Sequence, residues 1–362
     1  MRKLASVEII DKLEPIPNAD RILKATVKGW ECVVSKSDNF QVGDKIIYIE
    51  VDSILPARPE FSFLKERKYR VRTIKLRKQI SQGLILPLSY LKGSYEVGDD
   101  VTKELGIKKY DPQAEAEKEV VRKAVKAKGF FAPLINFMMR YRWFREFYGK
   151  LVVQNCNFPT DICSKTDEER IQNLPTLFKK LQVDKTPLTA TEKIDGQSGT
   201  FFYCDGKFGV CSRNIWLRKE DNSAYWEVAR RFQLEETVRA LKNELSAKKV
   251  VIQGEIIGQG IQENKYKISG YDFYVFNIII DGIKLNQDAL EILCRKHNLK
   301  VVPTILKDYV IPQSFEIHDL VNVAKGKSKL LDTQDREGLV FRNYDENISF
   351  KAISPDFLLK EI

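Results

Sequence analysis

The sequence predicts an α+β chain in two parts: a small closed β-barrel, then a larger mixed antiparallel α+β domain. Three observations carry this expectation. At 362 residues the chain is longer than a single hydrophobic core usually organises. Its first third reads as short strands between turns, whereas strands and helices alternate from residue 151 onward. Hydrophobic residues at 43% and charged residues at 30% are the proportions of a folded protein, which excludes global disorder.

Within residues 1–110, VEIIDKLEPIPNADRI gives a strand and then a Pro/Asn/Asp turn. KATVKGWECVVS and GDKIIYIEVDSILP follow as strands rich in Val, Ile and Tyr. KYRVRTIKLRKQISQGLILPL supplies a long strand and a second one beginning near Gly83. VGD occurs twice, at Val42–Asp44 and Val97–Asp99, each time as a turn entering an apolar run. Short strands at this spacing predict an OB-like barrel. Between Lys65 and Lys78 basic and apolar residues alternate, so Arg70, Arg72, Lys75, Arg77 and Lys78 are candidates for tracking a phosphate backbone. The plainer alternative is a solvated strand face whose lysines guard a sheet edge.

Residues 111–150 read as a helical connector. PQAEAEKEVVRKAVKAKG has the composition of an exposed helix, with Gly129 as its stop. In FFAPLINFMMRYRWFREFYGK, the residues Phe130, Leu134, Met138, Phe144 and Tyr148 recur at helical spacing, with Arg140, Arg142 and Arg145 between them. That face packs on the following domain or lies on a membrane surface. The third segment, 151–362, opens with TATEKIDGQSGTFFYCDGKFGVCSR, an antiparallel set turning at Asp195-Gly196 and Asp205-Gly206. NSAYWEVARRFQLEETVRALKNEL is helical; KVVIQGEIIGQGI, YDFYVFNIIIDG and EGLVFRN…NISFKAI are strands.

Charge and cysteine usage narrow the function. A formal net charge of +10 favours an anionic partner, nucleic acid ahead of a membrane surface. The six cysteines form no C-x-x-C pair, and the only histidines are His297 and His318. Zinc spacing and Ser-His-Asp or Cys-His catalysis are therefore not expected. The N-terminus lacks a signal-peptide run, and FFAPLINFMM is too short to span a bilayer. A soluble, cytoplasmic, monomeric protein is expected.

TEKIDGQSG, Thr191–Gly199, sets a lysine beside Glu192 and two residues before Asp195. K-x-D-G alone arises by chance in about one chain in ten of this length. Its companions give it meaning: SRN with Arg213, GEIIGQGIQ with Glu255, FYVFNI with Phe276, EGLVFR with Glu337 and SFKAIS with Lys351, in that order, after a lead-in TDEERIQN. Together they resemble the covalent nucleotidyltransferases, the superfamily of RNA ligases, DNA ligases and mRNA capping enzymes. Lys351 stands eleven residues before the last residue, and the barrel candidate lies in front. That order resembles the ATP-dependent RNA ligases with an N-terminal OB domain, since DNA ligases and capping enzymes carry theirs after the last motif.

The resemblance implies a chemistry. Lys193 attacks the α-phosphate of ATP, carries AMP as a lysyl adduct, and passes it to an RNA 5′-phosphate, which a 3′-hydroxyl then seals. Attack needs a neutral amine, and deprotonating an ordinary lysine at pH 7 costs about 4.6 kcal/mol. Acids nearby make this worse unless a cation offsets them, so Asp195, Glu255 and Glu337 are expected to hold Mg²⁺ or Mn²⁺, largely through water. Lys351 is implied at the α-phosphate, Arg213 at the ribose, Phe276 stacked on adenine, Glu192 at adenine through its backbone, and Arg170 at the outgoing phosphates. Many relatives carry two lysines one residue apart in the last motif; here Ser349 precedes Lys351 and Ile353 follows it. RNA is the expected partner, whether as a nicked duplex, an RNA/DNA hybrid, a bridged break or loose single strands. The competing readings are a DNA ligase or capping guanylyltransferase, and an RNA-binding OB protein without catalysis.

Overall fold

The computed structural model describes residues 3–110, 157–217 and 222–360, with Phe137, Met138, Tyr141 and Phe144. Apart from those four residues, the expected connector lies outside the described residues.

The front part is an OB-like barrel of short antiparallel strands. Lys45–Ile49 runs between Ala5–Ile9 and Leu84–Pro87, while Ile22–Val27 runs between Lys12–Pro15 and Trp30–Ser35. Trp30–Ser35 alternates buried and half-buried positions, as a strand with one face on the core must. Trp30, Cys32 and Val34 point inward, and Trp30 stacks on Tyr48 at 5.9 Å. Where one long strand was expected after Lys68, there are two short ones, Thr73–Leu76 and Gln79–Gln82, paired as a hairpin. Arg77 and Lys78 form its turn with φ of 50° and 71°. The two-residue hairpin turn, not the period-2 pattern, ends the strand.

The second part holds two sheets. The first orders its strands Glu169–Arg170, Ile348–Ile353, Gly338–Asn343, Leu188–Lys193 and Thr304–Tyr309. The second is built on Gln197–Cys204, Lys249–Gly258 and Tyr271–Ile280, with Lys207–Cys211 on one side. Helix Leu234–Glu244 covers this second sheet: Leu234, Val238 and Leu241, at helical spacing, bury against Phe201, Ile252 and Phe273. The continuous helix expected here is two helices, Ala224–Arg231 and Leu234–Glu244, because Gln233 takes a left-handed conformation at φ 50°.

The Asp195-Gly196 turn is also not the expected hairpin. Leu188–Lys193 pairs with Gly338–Asn343 in the first sheet, whereas Gln197–Cys204 pairs with Lys249–Gly258 in the second. Residues 194–196 therefore cross from one sheet to the other. Asp205-Gly206 is a true hairpin turn, with φ of 49° and 77° joining paired strands.

The barrel docks on the second part through polar and apolar contacts. Trp30 Nε1–H donates to Asn173 Oδ1 at 3.0 Å, and Asn173 Nδ2 donates to Glu50. Gly29 lies so close to Ile317 that a Cβ there would stand 2.5 Å from its Cγ2. Among the described residues no helix is long and apolar enough to cross a membrane.

Backbone packing inside the first sheet gives a stability prediction. A Cβ on Gly338 would meet the Ala352 carbonyl oxygen at 2.2 Å, an immovable strand neighbour. Gly338→Ala is expected to cost about 1–3 kcal/mol, read as a lower thermal midpoint.

Candidate active site

The two sheets meet along a cleft, and most of the motif residues face it. Lys193, Asp195, Glu192, Glu255, Phe276, Glu337, Arg213 and Lys351 all line it. Strand register explains the gathering. Lys193 pairs with Gly338 and so sits beside Glu337, while Val340 pairs with Lys351 one strand further on. From the second sheet, Ser198 pairs with Glu255, whose own partner is Tyr274. Gly196 is needed at the crossover because a Cβ would come 2.4 Å from the Ile256 carbonyl oxygen.

The electrostatics at Lys193 are unusual. Lys193 Nζ donates to Glu337 Oε2 at 2.7 Å, with the two side chains 26% and 16% exposed. Burial pulls the Lys193 pKa down, but Glu337 and Glu255 outweigh it and hold the ammonium well above the ordinary lysine value. The acids bear the matching strain: burial, together with Glu337 and Asp195, pushes Glu255 up to about 8, against the pull of Lys193. Burial and then Glu337 push Asp195 up to about 6. This cluster carries more negative charge than its burial tolerates.

The donor set offered to an ion is carboxylate oxygen only, the chemistry of hard divalent cations. Among the described residues no three acid, cysteine or histidine side chains stand close enough together to ligate one directly. The chemistry of the donor set fits a hard divalent cation.

In the same cleft three cations converge on Asp167. Its carboxylate meets Arg213 at 3.0 Å, Lys351 at 3.2 Å and Lys109, from the end of the first part, at 2.9 Å. Burial would raise the Asp167 pKa, but Lys351 and Arg213 overrule it and hold the group well below the usual carboxylate range. Arg342, 4% exposed, crosses from Thr191 Oγ1 at 3.1 Å to Glu168 Oε1 at 3.2 Å. Glu192 turns its side chain away from bulk water: it accepts from the Ser328 hydroxyl and from the Lys329 N–H at 2.8 Å. Phe276 is half-buried and packs with Ile194, Ile257 and Val302.

Other candidates lie elsewhere. Arg170 is not part of the cleft lining; it is buried where the barrel docks, 3.6 Å from Asp52 and 5.5 Å from the Trp30 ring centroid. Its motif neighbour Asn173 is the residue that bonds Trp30, so the TDEERIQN lead-in divides: Thr166, Asp167 and Glu168 line the cleft, whereas Arg170 and Asn173 serve the contact between the two parts. Arg70 pairs with Asp52 at 2.5 Å and stacks 3.6 Å from the Tyr110 ring centroid. Arg72 is half-buried, whereas Lys75, Arg77 and Lys78 are exposed at the hairpin tip. Asp167, Glu168, Arg342 and Lys109 carry no distinguishing signal in the sequence, although Asp167, Glu168 and Arg342 lie inside the motifs TDEERIQN and EGLVFR.

Comparison with known proteins follows the same division of the chain. Residues 4–88 match an OB-fold domain model and residues 186–358 match the RNA ligase model. Among curated proteins no sequence matches. Among solved structures, Naegleria gruberi RNA ligase with pyrophosphate aligns at TM-score 0.78 and 32% identity, covering 99% of this chain and 98% of that one. A mutant of the same ligase with ATP and Mn aligns at TM-score 0.78 and 31% identity, over 99% and 98%. Another with AMP and Mn gives 0.78 and 32%, over 99% and 98%. With the barrel in front, the motifs in order and nearly the whole length superposed, the chain belongs to the RNA ligase family.

Proposed function

We propose that this chain is an ATP-dependent RNA ligase that joins an RNA 3′-hydroxyl to a 5′-phosphate through lysyl-AMP and RNA-adenylate intermediates. One observation supports this above the others: Lys193 is placed against Glu337, with Asp195 and Glu255 in the same cleft, at the crossover between the two sheets. In the first step the neutral Lys193 amine attacks the α-phosphorus of ATP in line. The new bond is Nζ–P, the bond broken is P–O to the β-phosphate, and pyrophosphate leaves with that electron pair. The 5′-phosphate of RNA then displaces Lys193 from AMP, and the 3′-hydroxyl finally displaces AMP from the RNA.

Positioning and charge complementarity carry such transfers. Lys351 and Arg213 are the cations assigned to the α-phosphate and ribose, and Asp167 holds both in the cleft. Phe276 offers a flat apolar face for adenine. Glu192 acts through its backbone at the base, while its side chain ties Ser328 and Lys329 to the pocket wall. Asp195, Glu255 and Glu337 are the residues to hold hydrated Mg²⁺ or Mn²⁺, which supplies positive charge against the phosphates and against the protonated form of Lys193. The test is a gel assay with labelled ATP, then nicked RNA or RNA/DNA hybrid. A covalent nucleotide from GTP but not ATP would overturn the ligase reading in favour of a capping enzyme.

The barrel is proposed to hold the nucleic acid near the break as a monomer. Of the five basic candidates, Lys75, Arg77 and Lys78 are the exposed ones. Changing these three together to alanine is expected to leave lysyl-AMP formation intact and weaken RNA binding. The slope of log K against log salt should fall by about two to three, measured by fluorescence anisotropy. An unchanged slope would remove the hairpin from the RNA path.

A further inference from the structure

The strands carrying Glu255 and Phe276 are joined by Gln259–Gly270, and within this connection the motif GEIIGQGIQ reaches only to Gln262. This connection lies against the sheet-to-sheet crossover and grips it twice at one residue. Lys265 Nζ donates to Asp195 Oδ2 at 2.6 Å. The Asp195 backbone N–H donates to the Tyr266 hydroxyl at 2.9 Å. Both contacts are shielded, the Asp195 side chain being 9% exposed and Tyr266 5%. The Lys265 ammonium is itself confined, 4.4 Å from the Phe357 ring centroid in the helix after the last strand.

The connection is sharply turned. Gln262, Glu263, Asn264 and Lys267 all take left-handed backbone conformations, which non-glycine residues adopt only when their surroundings impose it. Asn264 clamps the far side, its side chain bonding both the N–H and the carbonyl of Ile268 at 2.9 Å.

We propose that Lys265 and Tyr266 are positioning residues for adenylate formation: they fix Asp195 and, through the crossover, the aim of Lys193. The proposal rests on the reading of Lys193 as the nucleophile. Its physical basis is the crowding of acids. Asp195 shares its enclosure with Glu337 and Glu255, and like charges would swing an uncompensated carboxylate outward. Lys265 offsets that push. Tyr266 accepts from a backbone N–H that leaves the first sheet without a ladder partner and would otherwise be an orphaned buried donor. In-line attack tolerates little drift, since a displacement of about 1 Å costs on the order of 100-fold in rate.

The test combines single-turnover kinetics with hydrogen–deuterium exchange on the full chain. Tyr266→Phe removes only the acceptor oxygen, and should speed exchange of the peptide spanning Ile194–Gly196 about tenfold or more while Lys249–Gly258 is unchanged. Lys265→Met should slow lysyl-AMP formation at saturating ATP by about 10- to 100-fold with the KM for ATP nearly constant, and Lys265→Arg should restore most of the rate. Added to Asp195→Ala, Lys265→Met should cause no further loss. A raised KM at an intact rate would instead make Lys265 a direct nucleotide contact and overturn the proposal. So would full additivity with Asp195→Ala, or unaltered exchange at Ile194–Gly196. Wild-type protein that forms no lysyl-AMP would defeat the nucleophile reading, and the exchange result would then judge the Asp195 latch alone.

Discussion

Lys193→Ala is expected to abolish the covalent nucleotide: incubated with labelled ATP and Mn²⁺, the variant should retain no acid-labile AMP. The loss should exceed about 10⁴-fold, because among the described residues the other lysines beside the site are engaged by acids of their own. Lys265 is committed to Asp195 at 2.6 Å, and Lys351 to Asp167 at 3.2 Å. Covalent catalysis splits one difficult displacement into easier ones, and removing the nucleophile removes the intermediate itself. Sealing of RNA that already carries a 5′-adenylate should survive in part, since that step uses the cleft but not the Lys193 amine. A variant equally dead on pre-adenylated RNA would mean that the substitution had disordered the cleft. The folded state offers an independent check: Lys193 is the cation facing Glu337 and Glu255, so its removal leaves buried acids less compensated and should lower the thermal midpoint unless Mn²⁺ is added.

How far the cleft could be read from sequence depends on the kind of order involved. Lys193, Glu255, Phe276, Glu337 and Lys351 were legible through short motifs in a fixed order on or beside strand-like runs, and the structure gathers all five in one cleft. The Asp195-Gly196 crossover was not legible as such. A period-2 pattern looks the same whether a strand pairs with its sequence neighbour or with one from another sheet. The surroundings of Arg170 were hidden for a related reason: a basic residue in a charged run gives no sign that Asp52 and Trp30, over a hundred positions earlier, will meet it. Lys109 and Lys265 escaped notice because each finds its acid through the chain's long-range path, not through local spacing.

Glu337→Gln sets two effects of opposite sign against each other. Glu337 and Glu255 keep the Lys193 pKa high against the pull of burial. Cancelling the Glu337 charge should therefore lower that pKa, and every tenfold rise in the acid constant leaves about tenfold more neutral amine at neutral pH. If Glu337 were only the counter-ion of Lys193, the glutamine variant would be faster than the wild type. Opposing this, the site would lose one of the three carboxylates assigned to the divalent cation; even outer contacts of that kind are worth about 10- to 100-fold. It would also weaken the 2.7 Å hydrogen bond that orients the nucleophile, since an amide accepts more weakly than a carboxylate. The losses act together and outweigh the gain, so lysyl-AMP formation should fall by about 100-fold or more. Two further signs separate the contributions. The Mn²⁺ concentration for half-maximal rate should rise, and the increase of rate with pH should begin at lower pH than in the wild type, because the lysine gives up its proton more readily. A glutamine variant that outruns the wild type at neutral pH, with unchanged Mn²⁺ dependence, would remove Glu337 from the cation-holding set and leave charge balance at Lys193 as its only role.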